Sequence, residues 1–160
     1  MVTKHLGVVE LRDIIEDNIV ECMELSISPE QSDFVAPNAE TLAEAYILTV
    51  NNAALLKPYV VYAEGQMVGF IIYGKWADNN EYHNWAIMID KQFQGRGYGK
   101  SAIELLLSEI RSQPFGAADK ITAAYEKQNT ASQKLFKAFG FTESLTPTPD
   151  DEIVAELWIK

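Results

Sequence analysis

The stretch Trp85-Ala86-Ile87-Met88-Ile89-Asp90-Lys91-Gln92-Phe93-Gln94-Gly95-Arg96-Gly97-Tyr98-Gly99-Lys100 decides how this chain is read. Its first five residues form a nearly continuous apolar run, which suits a strand buried on both faces. A glycine-rich turn, Gln94 to Gly99, follows. Beyond it Ile103, Leu106, Leu107 and Ile110 recur at helical spacing, so the unit reads strand, glycine loop, helix. Three alternate glycines let the backbone adopt positive φ and approach a ligand closely. Successive N–H groups can then point into one concavity, and the following helix adds its unsatisfied N–H groups and the positive end of its dipole. Arg96 and Lys100 supply nearby positive charge, so a diphosphate is the natural guest.

Two other phosphate motifs fail on detail. Gly99-Lys100-Ser101 matches the end of a Walker loop, but position 94 is Gln where that loop needs Gly. The dinucleotide fingerprint needs its third glycine one residue later, at position 100, early in the chain and in a parallel βαβ unit; here the loop follows strands that read as antiparallel. Working outward, His5 to Leu11 reads as a first strand and Asn18 to Leu25 as a short helix capped by Asp17. Glu40 to Leu55 is rich in helix formers. Tyr59 to Ala63 and Met67 to Gly74 form a hairpin about Glu64-Gly65-Gln66, and Tyr82 to Asp90 is the next strand. Lys120 to Tyr125 is a strand, and Thr130 to Phe139 a helix with Thr130 and Gln133 as a capping box and Gly140 at C′. Phe141 to Ser144 and Ile153 to Ile159 close the order β-α-α-β-β-β-α-β-α-β-β. The expected fold is a mixed α/β domain spanning 1–160 around one sheet.

Composition narrows the function classes. The net charge is −10, which argues against a nucleic-acid partner. Residues 1–90 sum to −10, 91–137 to +4 and 138–160 to −4, so the middle block suits an anionic ligand and the flanking blocks a cationic one. No window is long and apolar enough to span a membrane and no signal-peptide block precedes the first strand, so no membrane partner and a cytoplasmic setting are expected. The single cysteine, Cys22, has no metal-ligand spacing around it, so no metal is expected and packing is its ordinary role.

The glycine block after Ile87-Met88-Ile89-Asp90, together with Asn129-Thr130-Ala131-Ser132, Leu135-Phe136 and Gly140-Phe141, resembles the GNAT superfamily of N-acetyltransferases in motif, spacing and element order. The resemblance implies a splayed, mostly antiparallel sheet of about six or seven strands flanked by about four helices. It implies acetyl-CoA as cosubstrate, with the backbone of Ile87, Met88 and Ile89 pairing with the pantetheine arm. Gln94, Gly95, Arg96, Gly97, Tyr98, Gly99 and Lys100 would hold the pyrophosphate, and Asn129 and Ser132 would contact the pantetheine or thiol end. Helix capping is an alternative role for Asn129, compatible with the first. The sequence departs from the family at Phe136, where many relatives carry a tyrosine that protonates the thiolate. Either another group, such as Tyr125 or a water molecule, then serves as the acid, or catalysis relies mainly on positioning.

Direct attack of an amine on a thioester needs a neutral amine, stabilisation of the developing oxyanion and a proton for the leaving thiolate. Candidate bases near the head of the strand before the loop are Glu81, His83 and Asp78, with Glu81 preferred. In these folds the first helices border the acceptor, which brings in Glu24, Glu30, Asp33, Phe34, Glu40 and Glu44, with Tyr46 and Tyr62 as further aromatic partners for a cation. The segment Ser28 to Asn38 and the hairpin Glu64 to Phe70 look like the spermine/spermidine acetyltransferase branch. A polyamine or diamine is therefore the expected acceptor. A protein N-terminus, an aminoglycoside, another small amine, or a non-catalytic acyl-CoA-binding role are the alternatives. Relatives often form dimers; Trp158 in the last strand is read either as part of such a homodimer interface or as core.

Overall fold

The computed structural model describes residues 3–6 and 8–159. One eight-stranded sheet organises them: β1 (Thr3–Leu6), β2 (Val9–Asp13), β3 (Ala54–Ala63), β4 (Gln66–Trp76), β5 (Glu81–Ile89), β6 (Lys120–Tyr125), β7 (Thr142–Glu143) and β8 (Ile153–Trp158), in the order β1-β2-β3-β4-β5-β6-β8-β7. Every pairing is antiparallel except β5 with β6. The crossover between that parallel pair is α3 (Tyr98–Arg111), as a parallel connection requires. The other helices are α1 (Ile19–Glu24), α2 (Asn38–Val50) and α4 (Thr130–Ala138).

Two apolar layers hold the helices to the sheet. On one face Val61, Ile71 and Tyr73 meet the α3 stripe of Ile103, Leu106 and Ile110. On the other, Val60, Phe70, Ile72 and Met88 meet Cys22 of α1 and Ala45 of α2. Successive strand residues alternate between these layers because side chains on a strand point to opposite faces. Pro58 lies in β3 one residue beyond the last β2 pair, Asp13↔Tyr59, where β4 alone pairs with the strand.

The feature that matters for function is a gap. β5 and β6 pair only from Glu81↔Lys120 to Asn84↔Ala123. At that point β5 also bulges against β4, where the register passes from Tyr73↔Asn84 to Ile72↔Ala86 and leaves Trp85 as the extra residue. Beyond the bulge β5 and β6 diverge. Trp85, Ala86 and Ile87 are consequently half-buried, where the apolar run suggested burial on both faces.

Several boundaries differ from the sequence expectation. The expected strand His5 to Leu11 is two strands that fold back on each other, with Leu6 opposite Val9. The sheet therefore has one strand more than the expected order. The helix over Glu40 to Leu55 stops at Val50 because Asn52 takes a left-handed conformation (φ 55), and Ala54 and Leu55 already belong to β3. The residue at the start of α1 is Asn18, not Asp17, and its Oδ1 accepts from the Ile15 N–H. At α4 the cap is Asn129, whose Oδ1 accepts from the Ser132 N–H at 3.1 Å, in place of a Thr130/Gln133 box. Gly140 follows at positive φ (87°), as a C′ residue does.

Candidate active site

The gap between β5 and β6 opens into two cavities that share Phe34, Val35, Ile87, Asn129 and Ser132. The first, about 310 Å³, lies on the glycine-loop side. Ile87, Met88 and Ile89 form one wall, Gln94, Gly95, Gly97, Tyr98 and Gly99 the end, and Asn129, Ser132 and Leu135 the opposite wall. Gly95 and Gly97 sit at φ 77° and 81°, and a Cβ built on either meets nothing within 4 Å. The loop therefore presents bare backbone to open space. Gly97 begins α3 with no side-chain cap, which leaves the first N–H groups of the helix to face an external acceptor.

Asp90 fixes the junction between strand and loop. It is buried, and its carboxylate accepts from the Ser26 N–H (2.9 Å) and the Gln92 N–H (3.0 Å). Gln94 closes the turn by donating to the Ile89 carbonyl at 2.9 Å and to Gln31 Oε1 at 2.8 Å. Arg96 and Lys100 are exposed and line neither cavity; the Arg96 guanidinium lies over the Phe93 ring, 5.5 Å from its centroid, and donates to the Gln92 carbonyl.

The second cavity, about 320 Å³, lies on the other side of the gap. Three carboxylates line it: Glu44 from α2, Glu126 just after β6 and Glu152 just before β8. Among the described residues no lysine or arginine does. Burial, with Glu126 and Asp150 nearby, raises the Glu152 carboxyl above its ordinary value. His83 and Tyr125 also line this cavity. His83 hydrogen-bonds Thr122 Oγ1 through Nδ1 at 2.7 Å and packs edge-on to Trp76. Burial lowers its pKa to about 4, so the ring is neutral near pH 7. Tyr125 stacks on Phe136 with ring centroids 6.0 Å apart, and its hydroxyl donates to Glu143 at 3.4 Å. Burial, followed by the Glu143 charge and hydrogen bond, pushes its pKa up to about 12.

Most of the expected cofactor residues therefore meet around one cavity, while the expected acceptor residues largely do not. Glu81 lines neither cavity. Its carboxylate lies 3.6 Å from Lys120, which itself pairs with Glu156 at 2.6 Å, and it accepts weakly from Thr122. Glu30 and Asp33 are exposed and also line neither; of that trio only Phe34 reaches the gap. Tyr46 is exposed on α2 and Tyr62 lies beneath Arg12. Trp158 is 62% exposed, which rules out the core reading of that residue. The residues the sequence did not single out are Asp90, Gln31, Glu126 and Glu152. Asp90 had a visible signal, an acidic residue between an apolar strand and a turn, of the kind that binds backbone N–H groups two residues on. Glu126 and Glu152 had none, because they sit 26 positions apart and converge only through the β6–β8 pairing.

Comparison with known proteins agrees with this geometry. Residues 14–141 match the model of the acetyltransferase (GNAT) family. The chain is similar to the spermine/spermidine N(1)-acetyltransferase of Bacillus subtilis, 24% identical over 139 residues covering 83% of this chain and 87% of that one. Its fold is similar to that of an acetyltransferase from Salmonella typhimurium that modifies the N-terminal serine of ribosomal protein L7/L12 (TM-score 0.71, 17% identity, 97% of each chain covered). It is also similar to a ribosomal L7/L12 α-N-protein acetyltransferase in complex with coenzyme A (TM-score 0.68, 16% identity, 96% and 95% covered). A splayed sheet, an uncapped glycine-loop helix at the splay and a family match over 14–141 lead to one conclusion: the chain is an enzyme of the GNAT N-acetyltransferase family.

Proposed function

We propose that this enzyme transfers the acetyl group of acetyl-CoA to a primary amine of a polyamine or diamine. One observation carries the acceptor class: the cavity on the far side of the splay is lined by Glu44, Glu126 and Glu152 and, among the described residues, by no basic side chain. Such a lining favours a cation over an anion or a neutral amine. The likeness to the Bacillus spermine/spermidine enzyme supports the same class.

The open backbone at Gly95 and Gly97 and the uncapped start of α3 fit a pyrophosphate, and the β5 edge beyond the bulge fits an extended pantetheine arm. Acetyl-CoA supplies an activated acyl carbon and a thiolate leaving group. The chain's residues would do the rest. Ile87 to Ile89 offer main chain to the arm, and Asn129 and Ser132, common to both cavities, flank the point where donor and acceptor meet. Glu152, whose proton affinity is raised, takes the ammonium proton, and Glu126 and Glu44 hold the remaining positive charge. Tyr125, protonated throughout the physiological range, returns a proton to the thiolate. Phe136 cannot donate one, but its ring fixes the Tyr125 ring by stacking.

Thiol release from acetyl-CoA across a panel of amines tests this reading. Spermidine, spermine and diamines should be turned over, with a Michaelis constant that rises with salt. Turnover confined to peptide N-termini would remove the polyamine assignment.

A further inference from the structure

Gln94 sits where the glycine loop begins, and the resemblance assigns it to the pyrophosphate. Its hydrogen bonds point elsewhere. The Ile89 carbonyl can only accept, so the atom facing it must be the Gln94 amide nitrogen, and the Gln31 atom facing that same nitrogen must be the amide oxygen. Both Nε2 hydrogens are thereby committed within the protein, at 2.9 Å and 2.8 Å. The amide has no donor left for an anion.

The Gln31 contact joins residues 63 apart in sequence. It pins the glycine loop to the segment between α1 and α2, which contributes Phe34 and Val35 to both cavities. The same segment is anchored at its start, where Ser26 exchanges bonds with Asp90 Oδ2 (2.9 Å) and the Lys91 N–H (2.8 Å). Two fastenings therefore fix the common wall of the two cavities to the strand–loop junction. We infer that Gln31 and Gln94 are a positioning pair, in which Gln31 acts through the Gln94 amide to hold the glycine loop and the shared wall in register. Both side chains line the first cavity and not the second, so the pair stands away from the carboxylates at the amine end. It makes the loop's backbone N–H groups a rigid cradle and gives both substrates one fixed boundary, which lowers the ordering cost of binding.

This inference rests on the CoA reading of the first cavity, and the test separates the two. Binding of CoA would be measured by calorimetry for the wild type, Gln31→Met, Gln94→Met and the double variant. Methionine keeps the side-chain volume and removes the hydrogen bonds. Gln31→Met should weaken CoA binding about fivefold, as loss of a part-buried hydrogen bond does, with its thermal midpoint near that of the wild type. The double variant should bind no more weakly than Gln94→Met alone, because Gln31 acts only through Gln94. Hydrogen exchange supplies a second measurement: CoA should protect the amides of residues 27–36 in the wild type and protect them less in Gln31→Met. Unchanged CoA affinity and unchanged protection in Gln31→Met, or single effects that add in the double variant, would overturn the positioning role alone. A wild type that does not bind CoA would overturn the cofactor reading and this inference with it.

Discussion

His83 illustrates why a side chain facing a cavity is not thereby its catalyst. Its half-buried ring packs against Trp76 and Thr122, and this desolvation lowers its pKa to about 4 from an ordinary value of 6.5. A base that weak does not store the proton of an ammonium ion near pH 7. Its consequence is for stability. Above pH 6.5 the ring is neutral in folded and unfolded chains alike. As the pH falls below 6.5 the unfolded chain takes a proton that the folded one refuses until about pH 4. Stability present above 6.5 is therefore lost across that window, on the order of 3 kcal/mol. Denaturant titrations from pH 7 to 4 should show this loss in the wild type, and His83→Phe should show correspondingly less of it. Two residues carry the proposed chemistry. Tyr125→Phe should lower kcat about tenfold or more while leaving the CoA dissociation constant nearly unchanged; an unchanged kcat would remove Tyr125 as the acid. Glu152→Gln should lower kcat/KM for spermidine by about tenfold or more, kcat included, with little change in the Michaelis constant for acetyl-CoA, as read in initial rates. At this scale the sequence was most legible where backbone chemistry decides: Gly95 and Gly97 take the positive φ that alternate glycines allow. It was least legible for the acceptor carboxylates. Glu81 and Glu152 are alike as letters, and only the Lys120–Glu156 pair beside one and the cavity beside the other tell them apart.

Elements explain why the site lies where it does. The bulge at Trp85 coincides with the last paired residue of β5 on β6, so one extra residue both kinks the strand and starts the splay. Neither follows from the apolar run 85–89, which reads equally as a buried strand. The turn at Asn52 and the reversal between Leu6 and Val9 were missed for a related reason. Asn in the left-handed region and a short apolar hairpin leave little trace in periodicity, and packing decides them. α4 has a clearer signature, and its cap sits at the shared wall of both cavities. Asn129→Ala should cost about 1 kcal/mol of stability through the lost cap. It should also weaken CoA binding by more than that stability loss explains. Thermal denaturation and CoA titration of the same variant separate the two effects.

Across the whole molecule, charge is distributed by fold and not by segment. The second cavity draws Glu44 from the −10 block, Glu126 from the +4 block and Glu152 from the −4 block. The segment sums pointed to a cationic acceptor, and of the carboxylates expected beside it Glu44 lines the cavity while Glu30 and Asp33 line neither. The three carboxylates that face the cavity are a better basis for the same acceptor. The fold itself was legible as a whole because strand, glycine loop, helix and second motif agree with one another over most of the chain. On the glycine-loop side most of the expected residues meet around one cavity, because strand, glycine turn and helix start are local features. The acceptor side is made by loops that meet across the sheet, and no local spacing records such a meeting. The most direct measurement is acetyl transfer itself: purified protein with acetyl-CoA and spermidine, followed by thiol release and by the mass of the polyamine product. The expected result is stoichiometric thiol release and singly acetylated spermidine, both reduced by Glu152→Gln. No release above the amine-free background with any polyamine or diamine would contradict it.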